Sequence, residues 1–282
     1  MFRKIVSILF VLTLLSTTAF ANTAIIENSG DNRYKSIRLT PEIYNNANSD
    51  LSDLRILDAN GEYIPFFINS SSQSDHNEAE SYFAETLTPN FQTEEKDKKT
   101  YIYIEGLKNL RLGEITIETD SVFQRMVEIS SFGIRRELHN LSFSDTVNKD
   151  TSIPFNRNIS REEILTIIIH NGDDHPINIL GITIQYYADE LVFEGVSEMY
   201  TLRFGADSSI RAPIYDIVRY KDEILKNDID RLEMQNITFE EIQPEPEQYD
   251  FRMIFNIVTA VVTVLLGLLI FLKLRNKKGT SR

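Results

Sequence analysis

The densest cluster of groups able to do chemistry is His170-Asn-Gly-Asp-Asp-His175, closed by Pro176. Asp173 and Asp174, helped by backbone carbonyls, suit a hard cation such as Ca2+, while His170 and His175 are ligands of a transition-metal type. The same residues also meet the needs of a turn: Gly172 can supply positive φ, the Asp side chains can cap backbone N–H groups, and Pro176 ends the turn. His76 and His139 stand in polar surroundings and add nothing to a ligand set.

Aromatic pairs form a second set. Tyr186-Tyr187, Tyr101 with Tyr103, and Phe66-Phe67 can stack on sugar rings where they are exposed, or pack across strands where they are not. In an extended chain Tyr186 and Tyr187 point to opposite sides, so at most one of them packs into the core of its own sheet face. Signatures of catalysis are missing: the sequence has no His-Glu-x-x-His, no Gly-x-Ser-x-Gly, no phosphate-cradling Gly-Lys-Ser/Thr loop and no cysteine. A non-enzymatic protein without a cofactor is the expectation. The 42 Asp and Glu residues leave a glycan hydrolase working through a carboxylate pair as the alternative.

The elements that would position these residues are short strands. Leu54–Leu57 and Tyr63–Ile68 flank Asp58-Ala-Asn-Gly61, a hairpin whose Asn-Gly favours positive φ. Tyr101–Ile104, Glu114–Glu118, Met126–Ile129, Ile134–Leu138, Ile164–Ile169, Ile177–Tyr187, Leu191–Phe193 and Met199–Phe204 follow as apolar or alternating runs. Ile164-Leu-Thr-Ile-Ile-Ile169 is β-branched and short, which favours a buried strand over a helix. Glu94–Lys99 reads as a charged turn, Pro41–Tyr44 as one helical turn, and Tyr215–Lys226 as a helix with Ile217, Val218 and Tyr220 on one face. The spacing predicts an all-β ectodomain of two jelly-roll-like β-sandwich units, residues 22–120 and 121–213, then a helix and connector at 214–239.

The ends of the chain place it in a membrane. Ile254–Leu272 is an apolar run of 19 residues, which at about 1.5 Å per residue spans roughly 30 Å, the thickness of a bilayer core. Residues 251–272 are therefore read as a transmembrane helix, 273–282 as a basic cytoplasmic tail, and 240–250, with two prolines and five carboxylates, as a stalk. Residues 1–21 have the layout of an export signal ending in Ala19-Phe-Ala21. Asn256, Thr259, Thr263 and Gly267 share one stripe of the anchor, a seam against which another membrane helix can pack. Of 29 Lys and Arg, two precede residue 22 and six follow residue 251, so 21 stand against all 42 acids and the ectodomain carries −21. Such acidity excludes nucleic acid as a partner. The lack of cysteine removes any disulfide framework or lipid anchor and leans the source toward bacteria.

Leu39-Thr-Pro-Glu-Ile-Tyr44, Asp50-Leu-Ser-Asp-Leu-Arg-Ile-Leu-Asp-Ala-Asn-Gly61, His170–Ile177 and Ala212-Pro-Ile-Tyr-Asp-Ile217, in that order before a C-terminal anchor, resemble a bacterial family of exported, membrane-anchored proteins known only as a domain of unknown function. The resemblance implies source and topology and supplies no activity. The strand pattern of the second unit is also similar to galactose-binding-like jelly rolls. Together these features predict a type I single-pass envelope protein that binds a protein or glycan partner, with an accessory or sensor subunit of a membrane complex as a further alternative.

Overall fold

Alternation of apolar and polar side chains sorts this chain into strands. The computed structural model describes residues 22–72, 81–141, 148–206 and 209–239, together with Thr259. In β9 (Lys99–Glu105), Thr100, Ile102 and Ile104 are buried while Tyr101 and Tyr103 take the other face. β15 (Ile164–His170) does the same with Leu165, Ile167 and Ile169, and β16 (Gly181–Ala188) with Ile182, Ile184 and Tyr186. A strand patterned this way needs one covered face and tolerates one wet face, which is the requirement of a sandwich.

Among the described residues four sheets meet that requirement. The first runs β20 (Met234–Phe239), β1 (Asn22–Glu27), β18 (Met199–Phe204), β3 (Arg55–Asp58), β4 (Tyr63–Ile64). The second runs β19 (Ile229–Leu232), β2 (Tyr34–Arg38), β17 (Glu190–Glu194), β5 (Phe66–Asn69). In the third the order is β14 (Ser152–Ile159), β10 (Arg111–Glu118), β16, β7 (Ser81–Leu87), β6 (Ser71–Ser72). The fourth holds β13 (Lys149–Asp150), β12 (Ile134–Asn140), β11 (Phe123–Ile129), β15, β9 and β8 (Phe91–Lys96). Phe193 of β17 meets Tyr200 of β18 edge-on at 5.0 Å, joining the first two sheets across their core. In the other half Phe155 of β14 meets Phe132, in the 3-10 turn between β11 and β12, at 4.9 Å. The described residues form an all-β, sandwich-like structure.

The connectivity differs from the expectation of two units in succession. Every sheet combines strands from before and after residue 120. The first two sheets take residues 22–69 and 190–239, and the last two take the stretch between them, so one sandwich is inserted into the other. Periodicity identifies a strand but not its partner, and β1 pairs β18 with Asn22 opposite Phe204. Residues 214–239 are likewise more than a connector: β19 joins the second sheet parallel to β2, and β20 joins the first beside β1. The helix expected at 215–226 is a 3-10 turn, Asp216–Tyr220, running into one α-helical turn, Lys221–Ile224, and Val218 and Tyr220 face outward.

A bulge in β10 lets both Leu112 and Ile115 reach the core while Glu114 stays out. Gly113 sits at the bulge, where a Cβ would lie 2.9 Å from Gln185 Oε1 and 3.0 Å from Tyr187 Cε2, so a larger residue would have to push these two side chains aside. The two sandwiches are joined by polar groups at their junction. Tyr44, in the short helix Pro41–Asn46, donates its hydroxyl to Asp189 Oδ2 at 2.8 Å and accepts the Asp189 N–H at 2.7 Å. Arg111 pairs with the same carboxylate. Asn109 donates to the carbonyls of Tyr44 at 3.0 Å and Ala47 at 3.2 Å. Arg38 of β2 pairs with Glu190 at 2.6 Å and with Glu85 of β7, and lies over the Phe83 ring at 4.5 Å. The signal expected at 1–21, the stalk, the anchor and the tail lie outside the described residues apart from Thr259; among the described residues no helix is long and apolar enough to cross a membrane.

Candidate functional site

The turn at 170–176 forms between β15 and β16, and its two carboxylates diverge. Asp173 Oδ1 accepts Lys98 Nζ at 2.5 Å, whereas Asp174 Oδ2 faces Arg125 at 2.8 Å. The His170 ring lies 3.4 Å from Glu128 Oε2, and His175 is exposed. The Ser130 hydroxyl first, and His170 second, hold the Glu128 carboxyl below its ordinary range. Among the described residues no three His, Asp or Glu side chains converge on a common point that could hold a metal ion. The cluster does what a turn needs: Gly172 takes φ +65° and the Asn171 side chain donates to Thr100 Oγ1 at 2.8 Å.

The aromatic pairs separate into core and surface. Phe66 and Phe67 are both buried, on opposite sides of β5: Phe66 packs near Tyr215 at 5.5 Å, Phe67 in a small cluster with Val192 and Ile224. Tyr186 is buried and Tyr187 takes the outer face, as an extended backbone requires; burial pushes the Tyr186 phenol up to about 12. Tyr187 meets Tyr82 edge-on at 5.8 Å, and Arg157 lies over Tyr82 at 4.3 Å. Tyr101 and Tyr103 stand side by side on the outer face of the fourth sheet, with planes within 12° and centroids 6.4 Å apart. Of the anchor stripe, Asn256, Thr263 and Gly267 lie outside the described residues, and Thr259 is helical and exposed.

Two of the concave surfaces among the described residues bear on binding. One is a cleft of about 900 Å3 at the junction of the sandwiches, between Pro41, Glu42 and Asn45 on one side and Leu87–Gln92, Tyr103, Glu105 and Ile164 on the other. The second is a groove of about 660 Å3 on the outer sandwich, lined by Tyr34, Ile64, Val196, Ile214, Ile217 and Tyr220 among others. Ile214 is 100% exposed, Val196 65% and Tyr220 62%. An ion pair at 2.9 Å between Arg33 and Glu194 borders the groove.

No family model matches the chain, and no curated protein matches it. A solved structure described as "Structure of infectious bursal disease virus Gx strain" aligns over 87% of this chain and 72% of its own, at 11% identity and a TM-score of 0.17. A score that low carries no inference about fold or function.

The acids of the Asp50–Gly61 segment serve structure. Asp50 accepts the Ser52 N–H at 3.0 Å, and Asp58 Oδ1 accepts those of Asn60 and Glu62, both at 2.8 Å, inside the hairpin turn. Asp53 is fully buried: Oδ1 accepts the Asn48 N–H at 3.0 Å, and Oδ2 those of Gly205 at 2.7 Å and Ala206 at 3.2 Å. The groove residues Val196 and Ile214 escaped the sequence reading because they sit in coil, where no period marks an apolar side chain as outward. The one signal available was the Ala212–Ile217 segment, four of whose residues line the groove.

Proposed function

We propose that the chain is a type I single-pass bacterial envelope protein, exported through residues 1–21 and anchored by 251–272, whose all-β ectodomain binds a protein partner without catalysing a reaction. The observation that carries this reading is the groove around Ile214. Covering a fully exposed aliphatic side chain is worth about 1.5–3 kcal/mol, and three large apolar groups, Val196, Ile214 and Tyr220, lie on one groove and are more than half exposed. Contiguous apolar surface rimmed by charge is characteristic of protein docking sites. The ectodomain's charge of −21 selects the occupant: an apolar segment flanked by Lys or Arg, steered by the acidic field.

The test is photo-crosslinking in the intact membrane-embedded protein, with the crosslinking residue placed at Ile214, at Val196 and, as control, at exposed Glu162 in the other sandwich. A discrete adduct at the first two positions only, weakened by added salt, is expected. Absence of an adduct at both, or an equal one at Glu162, refutes the reading. The hydrolase alternative gains from one observation, that Glu42 and Glu105 line the same open cleft as Tyr103. Cleavage of a glycan that is lost in both Glu42→Gln and Glu105→Gln would move the assignment to it.

A further inference from the structure

The cleft at the junction of the sandwiches is separate from the apolar groove and has a different chemistry. We infer that it binds an oligosaccharide made of neutral or amino sugars, with Tyr103 as the stacking platform. Its floor is apolar, with Leu87 and Phe91 partly buried and Ile164 46% exposed. Around this floor stand planar polar groups, the amides of Asn45, Asn90 and Gln92 and the carboxylates of Glu42 and Glu105. A sugar ring presents an apolar C–H face and a rim of hydroxyls, so it needs this combination of an aromatic or aliphatic surface with planar donors and acceptors beside it. The volume of about 900 Å3 lies in the range of roughly 300–1,000 Å3 usual for ligand pockets.

Two features fit a polymer better than a single small molecule. Tyr103 lies in register with Gln92 and Thr166, and Tyr101 with Glu94 and Ile168, so the two near-parallel rings continue the cleft floor along the outer face of the fourth sheet. At its other end the cleft adjoins a hollow of about 410 Å3 that shares Asn45, Glu105, Gly106 and Ile164. The cleft thus has an aromatic surface beyond it on one side and a second hollow on the other.

The walls are also fixed before any ligand arrives. Asn45 Nδ2 donates to the Gly106 carbonyl at 2.8 Å, and Tyr103 donates its hydroxyl to Glu94 Oε2 at 2.9 Å, which sets the ring plane. With its Nδ2 so engaged and its Oδ1 buried, the Asn45 side chain is held as part of the wall. Gly106 is in the left-handed region at φ +78°, so the chain turns here with no side chain above Asn45. The charge of the lining excludes one ligand class. With Glu42 and Glu105 in the cleft and −21 on the ectodomain, a uronate or phosphate-bearing glycan is repelled, whereas an amino sugar is attracted.

The experiment is isothermal titration of the full-length protein in mild detergent with three probes: cello-oligosaccharide (neutral), deacetylated chito-oligosaccharide (amino) and oligogalacturonate (acidic). Binding of the neutral or the amino probe and none of the acidic one is expected. Tyr103→Ala should weaken it about tenfold or more, equivalent to ~1.4 kcal/mol, while Tyr103→Phe, which keeps the ring, retains most of it. Tyr63→Ala, in β4 of the first sheet and outside the cleft, should leave it unchanged. Failure of both probes to bind overturns the inference, as does binding indifferent to Tyr103→Ala or preference for the acidic probe. Because none of these variants touches Ile214 or Val196, loss of oligosaccharide binding and loss of the groove adduct are read separately.

Discussion

Replacing Asp53 by alanine should be among the most damaging single changes to this protein. The side chain is fully buried, and its carboxylate accepts three backbone N–H groups, from Asn48, Gly205 and Ala206. It thereby ties the loop after the helix Pro41–Asn46 to the end of β18. Alanine leaves three donors without their acceptor at a buried position. At about 1–3 kcal/mol for each buried group left without its partner, and allowing for partial rehydration, Asp53→Ala should cost roughly 3–5 kcal/mol. That is a large share of the ~5–15 kcal/mol that holds most domains together. Asp53→Asn is the informative companion. Its single carbonyl oxygen can serve Gly205 and Ala206, but its NH2 then opposes the Asn48 N–H, so about 2 kcal/mol should be lost. The chain has 12 Tyr and no Trp, so tyrosine fluorescence reports urea unfolding directly. With a slope of about 1–3 kcal/mol per molar urea, the alanine midpoint should fall by roughly 1–5 M, the steeper slopes giving the smaller shift. If Asp53→Ala lies within ~1 kcal/mol of the parent, or Asp53→Asn is the worse of the two, these bonds do not hold the loop and the reasoning fails.

Tyr186 makes stability depend on alkaline pH. Its folded-state phenol is raised from 10.0 to about 12, so the stabilisation is complete below pH 10 and is lost between about 10 and 12 as the unfolded chain releases its proton first. At ~1.4 kcal/mol per pH unit the loss is at most about 2–3 kcal/mol, and Tyr186→Phe should show a correspondingly flatter decline when urea midpoints at about pH 9 and about pH 11.5 are compared. Lys35 is 2% exposed and donates to the carbonyls of Ser29 and Gly30 and to Asp230 Oδ2 at 2.6 Å. Lys35→Met should speed amide hydrogen exchange in β19 more than in β9, because the lysine pins the parallel strand to the loop before β2; equal acceleration everywhere would show that it does not. The divergent carboxylates of Asp173 and Asp174 predict that Ca2+ leaves the melting temperature of the parent protein unchanged, and a rise abolished by Asp173→Asn would reverse that assignment.

The parts of the fold legible in the sequence are those whose determinants are local. The hairpin at Asp58–Gly61 can be read because Asp58 caps the turn itself and Gly61 takes φ +83°. β9, β15 and β16 can be read because one buried face imposes a strict alternation. β8 could not, since Phe-Gln-Thr-Glu-Glu-Lys is exposed everywhere except at Phe91 and owes its strand form to pairing with β9 across Asp97 and Lys98, both at positive φ. Charge along an edge strand is how sheets avoid pairing with strangers, and in a sequence it has the appearance of a loop. β14 is obscured for a different reason, a bulge at Asn156 and Arg157, both at positive φ, which breaks its alternation. The cleft was beyond reach for another reason: its lining comes from residues 41–45, 87–92, 103–106 and 164, which only the insertion of one sandwich into the other brings together.

That dependence on the junction yields a final prediction. The helix Pro41–Asn46 forms one wall of the cleft, and the other wall belongs to the inserted sandwich; Asn109 links the two through the Tyr44 and Ala47 carbonyls. Asn109 has φ +63°, so alanine would add backbone strain to the loss of the amide, whereas glycine accepts that φ and removes only the bonds. Asn109→Gly should cost about 1–3 kcal/mol of stability, with Tyr44, Asp189 and Arg111 still holding the junction. It should also weaken oligosaccharide binding, since a wall free to move must be ordered again on each binding event. The groove around Ile214 lies wholly on the outer sandwich, and its crosslinked adduct should be unaffected. If Asn109→Gly diminishes both activities equally, the two surfaces are not independent and the junction acts on the whole molecule. If it changes neither while stability falls, Asn109 supports the fold without setting the width of the cleft.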